Sequence, residues 1–187
     1  MQLTGEGGTG KSKVIQLITE MFVALDASGL LLKGAYTSIA TCVIGGATLH
    51  SLCGIPVNGG KPSPATITKL VTIWKNIKYL IINEYSMLSQ AFLGHISSIL
   101  SIVYDKIRGN MVDLPFRGIS VIICGDFHQF PPVCTGASAP LYWLPSSSDS
   151  NEATLGSELY SKFRTAVILK EQVQVTDPGW LELLCHT

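Results

Sequence analysis

Gly5-Glu6-Gly7-Gly8-Thr9-Gly10-Lys11-Ser12 is the stretch from which the rest of the 187-residue chain can be read. It matches the phosphate-loop pattern G-x-x-x-x-G-K-[ST]. Four fixed positions meet that pattern by chance in about one chain of this length in a hundred, so a glycine-rich turn that binds nothing is the weaker reading. Residues 11–26 then set Val14, Leu17, Ile18, Met21, Phe22 and Leu25 at helical spacing, with Gly29 as a stop signal. An amphipathic helix is therefore expected to begin where the motif ends. Glycines let the backbone curl until its N–H groups face phosphate oxygens, and the helix amino end adds a positive dipole. In such a loop Lys11 reaches the outer phosphates and the Ser12 hydroxyl binds Mg²⁺.

Working outward, residues 30–36, 79–82, 119–124 and 166–169 are short apolar runs rich in β-formers, as expected of strands covered on both faces. Helical patterns such as residues 89–104 separate them, which predicts an α/β fold with a mostly parallel sheet flanked by helices. Only residues 1–4 precede Gly5, fewer than a central strand of about five or six residues. The amino end therefore reads as cut short. Residues 56–64, with the Gly59-Gly60 pair, and residues 135–156 read as surface loops, the second unusually long for a compact domain. One domain over 1–187 is expected.

A phosphate-loop motor needs acids at the end of a neighbouring strand, one for Mg²⁺ and one for the attacking water. Leu80-Ile81-Ile82-Asn83-Glu84 lies in that context, with Glu84 as candidate base. Asn83 stands where an aspartate is expected, and a neutral amide is a weaker ligand for a hard cation. The run Ile122-Ile123-Cys124-Gly125-Asp126-Phe127-His128-Gln129-Phe130-Pro131-Pro132 ends a third strand. Gln129 is placed to contact a γ-phosphate or its water, on a loop stiffened by two prolines. By itself this run is simply a strand entering a turn.

The 13 basic and 13 acidic residues cancel, which excludes a grip on nucleic acid by bulk positive charge. Any such contact has to be local. Cysteines 42, 53, 124, 134 and 185 show no metal-ligand spacing and fit buried, reduced thiols of an intracellular protein. No apolar run approaches the roughly 18 residues of a membrane span, and no secretory leader is visible.

Together with Ala35-Tyr36-Thr37, Ile44-Gly45-Gly46-Ala47-Thr48-Leu49-His50-Ser51, Ile81 to Met87, Gly125 to Val133 and Leu169-Lys170-Glu171-Gln172, these motifs resemble the Pif-type DNA helicases of superfamily 1, including those of Helitron transposons. The resemblance covers almost the whole chain. It implies a RecA-like P-loop NTPase fold with ATP and Mg²⁺ as cofactors. It also implies 5′-to-3′ movement on single-stranded DNA, with unwinding at duplex junctions. By the same resemblance the nucleotide site comprises Gly5, Glu6, Gly7, Gly8, Thr9, Gly10, Lys11 and Ser12, catalysis falls to Lys11, Glu84 and Gln129, and the metal to Ser12, Asn83 and Glu84. Thr37, Thr48 and His50 line the DNA strand. A satisfied polar residue at a helix start is the plainer reading of His50. Roles in DNA repair, recombination and telomere maintenance follow from the family, as does a nuclear location, with the mitochondrion as an alternative.

Departures from the family pattern point the other way. Beside Asn83, Gln174 replaces an arginine that faces the γ-phosphate, and Ser38 and Thr41 replace smaller residues. The adenine-contacting segment and a second motor domain lie outside the chain. The alternatives are thus a catalytically impaired transposon remnant, or another P-loop ATPase. A nucleotide kinase would be expected to carry an arginine-rich lid, whereas arginine occurs only at 108, 117 and 164.

Overall fold

The computed structural model describes residues 1–56, 60–109, 114–132, 139–144 and 146–173. Its elements in chain order are β1 (Gln2–Gly5), α1 (Lys11–Ala24), β2 (Leu31–Ala35), α2 (Ser38–Ile44), β3 (Ala47–Thr48), α3 (Leu49–Cys53), α4 (Pro64–Trp74), β4 (Tyr79–Asn83), α5 (Gln90–Arg108), β5 (Ser120–Gly125), α6 (Asn151–Ser161) and β6 (Ala166–Leu169). The six strands form one sheet in the order β3-β2-β4-β5-β1-β6, and every pairing is parallel.

Side chains of β4 show why these runs are apolar throughout. Leu80 and Ile82 enter a core with Leu49, Trp74, Leu93 and Leu100, while Ile81 joins Leu3, Ile15 and Ile44 on the opposite face. Helices cover both sides of β4, so the usual polar alternation of a half-exposed strand is absent; β6 departs from the expected cover on both faces, because it is an edge strand with Val167 and Ile168 exposed. The Trp74 indole donates to the Leu52 carbonyl at 2.8 Å, so the ring is buried without leaving its N–H unpaired.

Five helices begin at a hydroxyl cap: Thr37, Thr48, Ser63, Ser89 and Ser150 accept from the N–H of Ala40, Ser51, Thr66, Phe92 and Ala153. Each satisfies one of the unpaired donors at a helix start. In contrast, α1 follows Gly10 at φ 91° and has no side-chain cap. No side chain at its cap position takes up the N–H groups of its first turn.

Helices α5 and α6 meet at Gly94 and Gly156. A Cβ on Gly94 would run into the Glu152 carbonyl oxygen, and one on Gly156 into that of Gln90. Backbone lies against backbone at this crossing.

Two expectations, on α1 and on residues 135–156, are corrected, and the short run up to Gly5 is a four-residue strand. Residues 2–5 form a strand in the sheet interior, between β5 and β6, with Leu3 buried. Pairing on both edges compensates for its shortness. The buried face of α1 is set by Lys11 and Ile15, whereas Leu17, Met21 and Leu25 of the expected stripe are exposed. The loop expected over 135–156 is interrupted by α6 from Asn151, and its Leu141 is buried. Cys53 and Cys124 are buried as read, but Cys42 is exposed; Cys134 and Cys185 lie outside the described residues. No helix among the described residues is long and apolar enough to cross a membrane.

Candidate nucleotide site and strand-binding edge

In a parallel sheet all carboxyl ends share one edge, and the register fixes which residues arrive there together. Leu3 pairs with Cys124, Cys124 with Asn83, Asn83 with Ala35, and Ala35 with Thr48. One residue further along, Thr4 is level with Gly125. Glu84, Asp126 and the phosphate loop consequently emerge along one line, although they are widely separated in sequence.

The loop itself turns on Gly8 at φ 85° and Gly10 at φ 91°, conformations that side chains rarely adopt. Thr9 ties it internally, its hydroxyl donating to Glu6 O at 2.8 Å. Lys11 is buried, and its ammonium donates to the carbonyls of Gly5 at 2.7 Å and Glu6 at 2.9 Å. This places a cation across the mouth of the loop. Ser12 is exposed at the start of α1.

Glu84 faces this loop from the end of β4. Burial pushes its carboxyl above the usual carboxylate range, Lys11 draws it back, and the Asp126 carboxylate adds to the rise. Its backbone is left-handed, at φ 55°, a costly conformation for a side-chain-bearing residue and one often found at functional sites. Gln129 approaches from the turn after β5: its Nε2 lies 3.3 Å from where a Cβ on Gly7 would stand. Lys11 and Gln129 therefore both lie against the loop from Gly5 to Ser12, with Glu84 within electrostatic reach of Lys11.

Asp126 is the residue the sequence reading left without a role. It is buried, and its Oδ1 accepts from the His128 N–H at 3.0 Å. The signal was an acid placed directly after a strand. Asn83 is buried and its Nδ2 lies a long 3.5 Å from the Ala40 carbonyl, so the amide is turned toward α2. Gln174 lies outside the described residues.

Thr37, Thr48 and His50 gather further along the same edge. Both threonines cap helices through their hydroxyls. His50 packs its ring against Tyr36 and Phe92, with centroids 5.2 and 4.8 Å away, and burial holds its pKa below the usual value. That proton binds more readily to the unfolded chain, so the contribution of His50 to stability is full above the ordinary histidine range. It is lost as pH falls through the lowered folded value. Between about pH 7.5 and pH 5, the parent is expected to lose more of its melting temperature than His50→Phe; equal losses would remove this account. Loss of either cap in Thr37→Ala or Thr48→Ala should cost about 0.5–2 kcal/mol in urea unfolding without DNA. An unchanged midpoint would free the hydroxyls from a capping role.

The model for the PIF1-like helicase family matches residues 1–170. The chain belongs to the PIF1-like helicases. Among curated relatives, the ATP-dependent DNA helicase PIF1 of Candida albicans is 36% identical over 135 residues, covering 70% of this chain and 14% of the relative. The crystal structure of the Candida albicans Pif1 helicase superimposes with a TM-score of 0.74 at 29% identity, covering all of this chain and 40% of that one. A Bacteroides Pif1 helicase solved with ADP-AlF3 and single-stranded DNA gives a TM-score of 0.66 at 26% identity, covering 99% and 41%. The PIF1-like chain thus spans a minor part of these relatives, and its sheet is the RecA-like P-loop fold they share.

Proposed function

We propose that this PIF1-like chain is the ATP-binding motor domain of a 5′-to-3′ DNA helicase. The observation that carries the reading is the convergence of Lys11, Glu84 and Gln129 on the loop from Gly5 to Ser12. In this reading the N–H groups of Gly7 to Ser12 cradle the phosphates, and Lys11 leaves the loop carbonyls to neutralise the outer ones. Glu84, its carboxyl pKa raised by burial and partly drawn back by Lys11, orients and deprotonates the attacking water. Gln129 holds that water or the γ-phosphate.

A magnesium ion accompanying ATP fits the oxygen donors here, since such ions need few protein ligands beside phosphates and water. Ser12 and Glu84 would hold it, with Asp126 adding negative charge, and the ion would offset charge on the phosphates. Asn83 contributes no charge and is the weak member of the proposed set.

Thr37, Thr48 and His50 would receive single-stranded DNA, with Tyr36 and Phe92 backing the imidazole. The Bacteroides relative solved with single-stranded DNA supports this partner. Duplex junctions as substrate, roles in repair, recombination and telomere maintenance, and a nuclear location extend the same proposal. Hydrolysis of MgATP measured with and without single-stranded DNA tests it: stimulated turnover supports the motor, and failure to bind MgATP removes it.

Asn83 favours a second reading, a catalytically impaired binder of nucleotide. Binding without turnover would support it. In that event Asn83→Asp with Gln174→Arg should restore hydrolysis, and an unchanged rate in a folded, MgATP-binding protein would refute the roles given to both positions.

A further inference from the structure

Beyond β6 the chain stays on the phosphate loop. Leu169 pairs with Gly5, the Gln172 Nε2 donates to the Gly7 carbonyl, and the Val173 N–H donates to the Gly8 carbonyl at 3.1 Å. Val173 Cγ2 lies 3.6 Å from where a Cβ on Gly10 would stand. Residues 169–173 therefore run beside the loop from Gly5 to Gly10.

Gln172 is the unusual member. Its Oε1 is buried with no hydrogen-bond partner among the described residues, which is uncommon for a buried acceptor. A methionine would fill similar volume without that penalty. The distinctive thing the carboxamide supplies is the donor on Gly7. A Cβ on Gly8 would run into this carboxamide, so the glycine and the glutamine fit one another.

The peptide between Gly7 and Gly8 is planar, with its C=O and N–H on opposite sides. Fixing the Gly7 oxygen therefore fixes the direction of the Gly8 N–H. Two flanking glycines would otherwise allow this peptide to rotate.

We infer that Gln172 is a positioning residue of the nucleotide site, clamping the Gly7 carbonyl outward so that the Gly8 N–H is presented to the phosphates. This rests on the reading of the loop as an ATP site. The clamp also reaches the site from the segment leading to Gln174, so a shift of that segment would turn the Gly8 amide.

Two variants test the clamp, Gln172→Met and Gln172→Glu, the second keeping the shape but not the donor. Each should weaken MgATP binding by at least about fivefold in calorimetry. The Gly8 amide resonance should shift and exchange faster with solvent, while the melting temperature stays near that of the parent. MgATP affinity within twofold of the parent would overturn the inference. So would a lowered melting temperature with the Gly8 resonance unmoved, or collapse of both variants, since each assigns Gln172 to folding alone. If the parent itself fails to bind MgATP, the ATP-site reading falls, and the Gly8 resonance still judges the clamp.

Discussion

Glu84→Gln is expected to melt at a higher temperature than the parent at neutral pH while hydrolysing MgATP about 10²- to 10⁴-fold more slowly. Both effects have one cause. Burial, with Asp126 adding to it, raises the carboxyl pKa, so ionising this group costs more in the folded chain than in the unfolded one, and glutamine removes that cost together with the base. The contribution of this carboxyl to stability is full below the ordinary carboxylate range and is lost as pH rises through the raised folded value. The advantage of the variant should accordingly shrink as pH is lowered toward that range. Lys11 offsets part of the cost, so Lys11→Met in the Glu84→Gln background should be milder for stability than in the parent. MgATP binding should survive Glu84→Gln. A variant that melts below the parent, or turns over at the parental rate, would remove Glu84 from the base position.

Gly94→Ala should cost about 3 kcal/mol or more, a large share of the roughly 5–15 kcal/mol that holds a domain together. The added methyl meets the Glu152 carbonyl, and backbone cannot swing aside as a flexible side chain does. Gly156→Ala should behave alike against the Gln90 carbonyl. The two sites share one crossing: each Cβ would lie 3.0 Å from the other glycine's nitrogen. Once α5 and α6 are forced apart by the first methyl, the second finds room, so the double variant should lose clearly less than the sum. Additive losses, or a single loss below about 1 kcal/mol in urea unfolding, would contradict this crossing.

The phosphate loop and the strands β2, β4, β5 and β6 were legible because local chemistry decides them. Glycines at fixed spacing permit Gly8 and Gly10 their left-handed turns, and continuous apolar runs such as Leu80-Ile81-Ile82 announce strands covered on both faces. The convergence of Glu84 and Gln129 on the loop followed from the rule that parallel strands present their carboxyl ends together. Family resemblance supplied what spacing alone did not, notably the proposal that Thr37, Thr48 and His50 receive DNA.

What stayed hidden depends on distant partners. The four residues of β1 look too few until β5 and β6 are known to pair with them. Helical spacing marked Leu17, Met21 and Leu25 as core, yet α1 buries the side carrying Lys11 and Ile15 against the sheet. In α6, Gly156 and the polar start at Asn151 resemble a loop, although Ser150 ahead of them is a helix cap. Its glycine serves the contact with Gln90, which no local pattern encodes. Gln172 stood in a stretch that carries the family resemblance but had no role there, because its partner is a backbone oxygen distant in sequence.

The position of β1 between β5 and β6 bears on how the molecule is made. During synthesis Gln2 must wait for Ile123 and then Ala166 before both its edges are paired, so contacts of very large sequence separation are formed last. The nascent polypeptide would carry its glycine-rich loop without the flanking pairs of β1 while β2 and β4 assemble. The phosphate loop can therefore take its final shape only after residues 166–169 have been made.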